Sequence, residues 1–467
     1  MAVWSIVNLS ALYGERRFDA ECYRPVILRD ENVLEPHNTV RLGDVATVTD
    51  GQHGYHQVDP ASPIRHITAK CVLQGRVEGD GVDRLARRTH DANKRSQLAV
   101  DDILFSTAGR IGEAGLVCAD ILPANIDQDV ARITLKGGVS VAPDFLTIFL
   151  NSEFGRFQCE RATTGQIQRH ISLAALREFR IPVVSWQHRV GQILRESITH
   201  AHKTKTLQLE AETILTTALG LDGADLSQRL FYENTFACAV EAGRLDAEHF
   251  QPKFETLLEI LCSRDFELLP LGKMIKPVKN GFDCRDFCDD GTPYIRVADV
   301  KKGRLEIDGC ARIPLKAKDV SKDISLAVGD VLFTRKGSFG NAAHVRPGQE
   351  HAIISSEIML IRLKPSLIEK VLPEYLALYF NSNAGTLQAE KWAHGVAFFS
   401  ISQEDLARFM VPILPMPEQK ELKAKTDQAE AAYQQSRRLL DTAKRAVEIA
   451  IEEGEAAARK FLDGNGK

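Results

Sequence analysis

Residues 335–340 read Arg-Lys-Gly-Ser-Phe-Gly, and two glycines beside a lysine could in principle cradle a nucleotide phosphate. A phosphate loop needs G-x-x-x-x-G-K-[ST] between a strand and a long helix, or G-x-G-x-x-G opening a helix, so that amides at a helix start point at the anion. Here the spacing is K-G-S-F-G and no helix-like run follows. The stretch therefore predicts a hairpin turn that uses glycine where φ is positive. Two other sets of residues have types suited to chemistry. Asp19 with Glu21, and Asp246 with Glu248, form a repeated Asp-Ala-Glu that could supply paired carboxylates. Residues two apart share a face only on a strand, and both sets sit near prolines, so docking of that segment is the better reading. Cys284 and Cys288 have a spacing that zinc tolerates, but no second pair of cysteines or histidines follows at finger spacing, and no metal site is expected.

The glycine stretch is written twice. Residues 98–117 (LAVDDILFSTAGRIGEAGLV) and 326–345 (LAVGDVLFTRKGSFGNAAHV) share ten of twenty positions at an offset of 228, including Gly109 with Gly337 and Gly112 with Gly340. The first copy keeps the glycines and lacks the lysine, which argues again for a structural turn. The correspondence continues along the chain: RFDAECYRP answers RLDAEHFQP, VARITLK answers IMLIRLK, FLNS answers YFNS, and a Gly-containing loop ends in Ile-Ser at 171–172 and at 401–402. A period near half the chain predicts two similar globular domains rather than a stacked array of short repeats.

At 467 residues the chain has room for two or three domains, each with its own core. No apolar run reaches 18 residues, so the sequence predicts neither a membrane span nor a signal peptide. Nine scattered cysteines, an odd number, suit a reducing compartment and a cytoplasmic protein. The net charge of −4 does not by itself advertise nucleic-acid binding, yet Arg84, Arg87, Arg88, Lys94 and Arg95 crowd one polar segment, and Lys273, Lys276, Lys279 and Arg285 another. The familiar nucleotide, methyltransferase, metalloprotease, hydrolase and nuclease motifs are missing from the sequence. Catalytic sites also rarely come as two differently sequenced copies.

Each copy reads as strands around the glycine turn, then a proline-initiated helix from Pro143 or Pro373, a loop (ATTGQIQRHIS or WAHGVAFFSIS), a short helix and a closing strand at Ile181-Pro182 or Val411-Pro412. Ser402 and Asp405 fit a capping box; Ser172 caps its equivalent helix alone. After each closing strand the pattern changes. From Gln187 to Leu219 there is no proline and one glycine, with apolar residues at helical spacing, and from Glu418 to about Leu462 the pattern recurs. Helices this long carry an apolar stripe that needs covering, most simply by packing on each other. The expected fold is α+β, with two similar mixed α/β domains separated by a long antiparallel helical coiled coil in a pseudo-twofold internal repeat. Its parts are 1–185, a central helix 186–225, 226–415, and a distal helix 416–467.

The order of these features, twice over, resembles the specificity (S, HsdS-type) subunits of type I restriction-modification systems. The resemblance spans essentially the whole chain. It rests on the R-x-D-A-E segments, the Leu-Gly turns at 42–43 and 271–272, the D-I/V-L-F strand before the glycine turn, the P-x-x-L-x-x-x-x-N-S helix, and the I/V-P before each long helix. One departure stands out: the second long helix starts with Pro415 and Gln419, as the family pattern has it, whereas the first has Ser185 and Arg189. The resemblance implies a protein without catalysis of its own, whose two target-recognition domains each read half of a split double-stranded DNA site. It further implies docking of two methyltransferase subunits, which bring S-adenosylmethionine, and a motor-nuclease subunit that uses ATP and magnesium.

Side chains able to read base edges from loops are then the candidates. In the first copy these are His53, Tyr55, Arg110, Gln166, Gln168, Arg169 and His170; in the second, Arg285, Arg335, Lys336, Ser338, His394, Phe398 and Phe399, with the aromatics as wedges or stacking faces. A scaffold or anti-restriction decoy that binds the methyltransferase without DNA is the alternative. Arg335-Lys336 and Arg169-His170 point away from it, since a DNA mimic would be acidic there.

Overall fold

The proline-free run forms one helix over Gln187–Leu219, the central helix, and the later run forms a helix over Met416–Glu452, the distal helix. The structure, a computed structural model, describes residues 5–7, 20–54, 56–165, 169–314, 324–395 and 399–465. It divides into unit 1, Met1–His202 with Tyr433–Lys467, and unit 2, Lys203–Ala432. Each unit thus contains a portion of both long helices.

In unit 1 those portions run antiparallel. Ser197 and Ser436, both buried, exchange hydrogen bonds from each hydroxyl to the other's carbonyl at 2.7 Å. Toward the start of the central helix, Ser185 Oγ donates to Glu455 Oε2 at 2.6 Å. Val190, Leu194 and Ile198 share a core with Ala443, Ala446, Val447 and Ile451, and with the strands and helices of the globule. The distal run is not one helix, however. Gly454 adopts a left-handed φ of 93°, and a separate helix, Glu455–Asn465, follows. The apolar spacing continues through the break and hides it from periodicity, but glycine's ease at positive φ ends the helix there. The new helix brings Ala458 and Leu462 into the unit 1 core. In unit 2, Ala211, Leu215 and Leu219 of the central helix share a core with Leu422 of the distal helix, and Lys425 meets Glu210 at 2.6 Å.

Among the described residues, the largest sheet of unit 1 has six strands in the order Ala46–Asp50, Val130–Leu135, Ile103–Ser106, Ala114–Leu116, Gly75–Val77 and Val72–Leu73. In unit 2 the corresponding sheet has four, in the order Lys279–Asn280, Ile358–Ile361, Val331–Thr334 and Ala342–His344. The hairpin expected at the glycine turn is present in both, with Ile103–Ser106 antiparallel to Ala114–Leu116 and Val331–Thr334 antiparallel to Ala342–His344.

The proline-initiated helices are shorter than their apolar runs suggest: Pro143–Asn151 and Pro373–Asn381 stop at a serine, and Glu153–Ala162 and Asn383–Trp392 begin after it. Ser152 and Ser382 have extended backbones, and their hydroxyls donate back to Phe149 and Tyr379 at 2.6 and 2.7 Å, a local bond that competes with helix continuation. The asparagine before each serine clasps the far strand of the hairpin. Asn151 Nδ2 donates to the Ala114 carbonyl at 2.7 Å and its Oδ1 accepts the Ala114 amide at 3.2 Å; Asn381 repeats both bonds with Ala342, at 2.7 and 3.0 Å.

The departure at the first long helix has a structural answer. Gln419 accepts the Leu372 amide at 2.9 Å and donates to the Lys370 carbonyl at 2.8 Å. In unit 1 the same work falls to Gln187, which accepts from Ala142 at 2.8 Å and donates to Ser140 at 2.7 Å.

Asn151 is buried, so Asn151→Ala would strand both Ala114 groups. We expect a loss of about 2–3 kcal/mol, read by urea denaturation of the full chain, with Asn381→Ala producing the matching loss in unit 2.

Candidate nucleic-acid interface

Both units present the glycine turn and the Gly-containing loop as one fastened structure. In unit 1, Thr164 and His170 exchange both backbone bonds at 2.9 Å, closing the loop on itself, and the Ile171 amide donates to Thr107 at 3.0 Å. In unit 2, His394 and Ser400 exchange bonds at 2.8 and 2.9 Å, and Ile401 donates to Arg335 at 3.2 Å. The turn glycines all have positive φ, 67° and 89° at Gly109 and Gly112, 73° and 84° at Gly337 and Gly340, a region that side-chain-bearing residues rarely adopt. A Cβ on Gly112 would also lie 3.1 Å from Cys159 Sγ. The glycines thus serve backbone shape and close approach to a helix.

Around this frame unit 1 forms an open cavity of about 1220 Å³. It brings together three of the expected readers, Arg110, Arg169 and His170, all exposed. It adds residues that sequence reasoning missed: Arg156, Glu113, Asp129 and Glu160. Arg156, Cys159, Glu160 and Thr163 lie at i, i+3, i+4 and i+7, one face of the Glu153–Ala162 helix or its cap, and that spacing was the available signal. Arg110 Nε is 3.4 Å from Glu113 Oε2. Burial raises the Glu113 carboxyl above its ordinary value, with Arg110 and Arg156 opposing. Glu160 is paired at 3.2 Å with Arg24. Burial pushes the Cys159 thiol up to about 11, so it stays protonated at neutral pH and is no nucleophile. The cavity wall thus presents hydrogen-bond donors, from Arg110, Arg156, Arg169 and His170, beside the acceptors Glu113, Asp129 and Glu160.

His53 stands beside the cavity rather than in it. Its Nε2 lies 3.3 Å from Asp50, which also receives Arg95 at 2.7 Å. The Gly51 amide donates to the Asp127 carbonyl at 3.1 Å, and Gln128 and Asp129, next in the chain, line the cavity. The basic segment at 84–95 is fastened to the same region. Buried Asn125 accepts from His90 at 2.5 Å and donates to the Asn93 carbonyl at 3.2 Å and to Ser96 at 2.8 Å. Tyr55, Gln166, Gln168 and Phe398 lie outside the described residues.

Unit 2 puts different side chains on the frame. Arg335, Lys336 and Ser338 sit on the turn, the last two exposed, and Arg335 Nε is buried without a hydrogen-bond partner among the described residues. Half-exposed Phe399 lies 6.3 Å from the Phe339 ring at 34°, an aromatic pair where unit 1 has Ile111 and Arg169. His394 is held by Asp405 at 3.0 Å. Ser402 accepts the Asp405 amide as a cap should, but the Asp405 carboxylate takes the Ser402 hydroxyl and His394; Ser172 caps alone, accepting from Ala175. Arg285 is exposed on the loop after Gly281. The Cys284 and Cys288 thiols each donate to a backbone carbonyl, of Asp286 and Asp290, and among the described residues no group of three or more His, Cys, Asp and Glu side chains could hold a metal ion. Nor is any described helix long and apolar enough to cross a membrane.

Residues 266–432 match the family model of the type I restriction modification DNA specificity domain. The chain is 25% identical over 163 residues to a putative type I restriction enzyme MjaX specificity subunit of Methanocaldococcus jannaschii; the match covers 34% of this chain and 38% of that protein's length. Among solved structures, the S subunit of a type I restriction-modification system from M. genitalium is similar at 12% identity and a TM-score of 0.44, covering 89% of this chain and 95% of its own. The HsdS subunit from Thermoanaerobacter tengcongensis has 14% identity and a TM-score of 0.27, covering 89% and 97%.

Burial pushes the Asp127 carboxyl up to about 6. The folded protein therefore holds that proton to higher pH than the unfolded chain, and the stability this confers is full below about pH 4 and lost as pH rises through 6. Asp127→Asn, which can still accept the Asp129 amide, should match wild type near pH 4 and melt above it beyond pH 6. Thermal melts across that range check the divergence.

Proposed function

We propose, from a chain whose residues 266–432 match the type I restriction modification DNA specificity family, that this protein reads DNA sequence on behalf of a methyltransferase complex. Each unit contacts one half of an asymmetric bipartite site. The observation that supports this most is that two units with one backbone frame carry different side chains upon it. Where unit 1 has Arg110, Arg169 and His170, unit 2 has Ser338, Phe399 and Ser400. A duplicated catalytic site would keep its chemistry; a duplicated reader has reason to change it.

In this reading 1–185 and 226–415 are target-recognition domains, and the helices of 186–225 and 416–467 space the half-sites and dock two methyltransferase subunits, with motor-nuclease subunits completing the complex. The central helix of 33 residues is about 50 Å long at 1.5 Å per residue. That length suits half-sites about one to one and a half DNA turns apart, with an unread gap of roughly 5 to 8 base pairs. Arginines of the unit 1 cavity would take guanine, while the Phe339 and Phe399 faces in unit 2 would wedge or stack. The phosphate contacts are shared with partner subunits, so the chain need not be basic. S-adenosylmethionine, ATP and magnesium belong to those partners.

Mapping methylated positions in cells with and without the gene tests the function. One bipartite motif should vanish on deletion; a methylome unchanged by deletion would refute the proposal. At finer grain, Arg169→Ala should relax selectivity in one half-site by about 1–3 kcal/mol per base pair read. Lys336→Ala should weaken binding to all sequences and reduce the salt slope by about 1. Binding of randomised duplexes to the assembled complex at several salt concentrations separates the two effects.

A further inference from the structure

We propose that Glu113 and Arg110 together read a G·C pair in the half-site of unit 1, Glu113 taking the exocyclic amine of the cytosine and Arg110 the guanine. This deepens the reading above, that each unit contacts half of a DNA site, and rests on it. The fold leaves the Glu113 carboxylate short of donors. Its Oε2 is buried with no hydrogen-bond partner among the described residues. Arg110 Nε stands 3.4 Å from that oxygen as an ion-pair partner without making the hydrogen bond. Burial raises the carboxyl above its ordinary value even with Arg110 and Arg156 opposing, which shows the same shortage. A buried acceptor left in this condition is costly, and native structures rarely keep one without a use.

Unit 2 shows what the position does when it serves the fold alone. The same place in its glycine turn, 228 positions on, holds Asn341. The Asn341 side chain donates to the Val300 carbonyl at 3.1 Å, so its donor is spent inside the unit. A carboxylate has no hydrogen to give a carbonyl. With an acid at this position, unit 1 forgoes such a bond and gains an acceptor on the wall of its cavity, where Glu113 has 16% of its side chain exposed. A turn about the last bond of the side chain exchanges the two oxygens, so the carboxylate can keep Arg110 on one side and offer a lone pair to the cavity on the other.

The chemistry of the pair selects the base pair. An ionised carboxylate only accepts, and in the major groove cytosine offers the N4 amine with no acceptor on the same base. Adenine sets N7 beside its N6 amine, and thymine presents O4, so both would turn a lone pair toward the carboxylate. Guanine, across the pair from cytosine, has the acceptors N7 and O6, and the neighbour of Glu113 is an arginine with half its side chain exposed. The groove edge of a G·C pair thus runs acceptor, acceptor, donor, and Arg110 with Glu113 supplies two donors and an acceptor. The backbone sets their spacing in advance. The Glu113 amide donates to the Arg110 carbonyl at 3.3 Å and the Gly112 amide to the Ser106 carbonyl at 3.1 Å, so the turn that carries both side chains is ordered before a ligand arrives.

The test selects bound sequences from randomised duplexes with the assembled complex carrying wild type, Glu113→Ala or Glu113→Gln. Wild type should require a G·C pair at one position where Glu113→Ala loses discrimination by about tenfold or more, with the other half-site unchanged. Glu113→Gln keeps the shape of the side chain and guards against misfolding. Its amide can also donate, so it should admit thymine, through O4, where wild type takes cytosine. Replacing that cytosine by the pyrimidinone nucleoside, which has hydrogen in place of the N4 amine, should weaken wild type by about tenfold and leave Glu113→Ala almost unaffected. If both variants select the wild-type sequence, or the position they relax is not a G·C pair, the proposal is overturned while the functional reading stands. It is overturned equally if the pyrimidinone changes binding of wild type and Glu113→Ala to the same extent, the result expected of a carboxylate that merely orients Arg110. A wild-type complex that binds all sequences alike overturns both.

Discussion

Neither long helix can be stable with its apolar stripe in water, and covering those stripes is the constraint on which the rest of the structure depends. The central helix contributes Val190, Leu194 and Ile198 to the core of unit 1 and Ala211, Leu215 and Leu219 to that of unit 2. The distal helix gives Leu422 to unit 2 and Ala443, Ala446 and Val447 to unit 1. Unit 1, which opens the chain, is therefore completed only by the last part of it. Where the two helices meet inside unit 1, Ser197 and Ser436 allow close approach because their hydroxyls bond across to carbonyls, leaving no buried polar atom stranded at that point.

On that base each globule fixes its glycine turn and Gly-containing loop through bonds that depend on backbone atoms or on a few repeated side chains. The asparagine clasp, the loop closed by a two-bond bridge and the positive-φ glycines recur in both units with nearly the same distances. Buried Asp102 and Asp330 repeat as well: each caps the residue three before it and holds the arginine of a neighbouring strand, at 2.7 Å from Arg132 and 2.6 Å from Arg362. Such a frame lets side chains at the tips change without cost to the fold. The units differ at tip positions such as Arg110 and Ser338, or Arg169 and Phe399.

Much of this was legible in the sequence because it depends on local rules. The bounds of the central helix follow from an unbroken 3.6-residue pattern, the hairpins from glycine spacing, and the caps from Ser172 and Ser402. Features decided by tertiary contact were not legible. Gly454 ends a helix whose apolar pattern runs on regardless, and Ser152 divides a run that reads as continuous. Gln187 takes the role of Gln419 from a position two residues out of register with the repeat. Arg95 reads as part of a free basic cluster, yet its partner Asp50 is 45 positions away. Arg156 and Glu113 went unnoticed because a helix face and a strand end become a cavity wall only once the glycine turn packs against the Glu153–Ala162 helix.

The mild overall acidity of the chain is then less of a paradox than its net charge of −4 suggests. What a phosphate or base feels is the local balance within about a Debye length, not the sum. In the unit 1 cavity Glu160 is drawn off by Arg24 and Glu113 is compensated by Arg110, while no carboxylate lies within ion-pair distance of Arg156 or Arg169 among the described residues. Negative charge gathers elsewhere: Asp225–Glu248 carries five carboxylates against two arginines, one of which, Arg244, pairs with Asp246 at 2.6 Å. A chain can thus be acidic in sum and still carry, among the described residues, guanidinium groups outside any ion pair at the unit 1 cavity and a surplus of acid elsewhere.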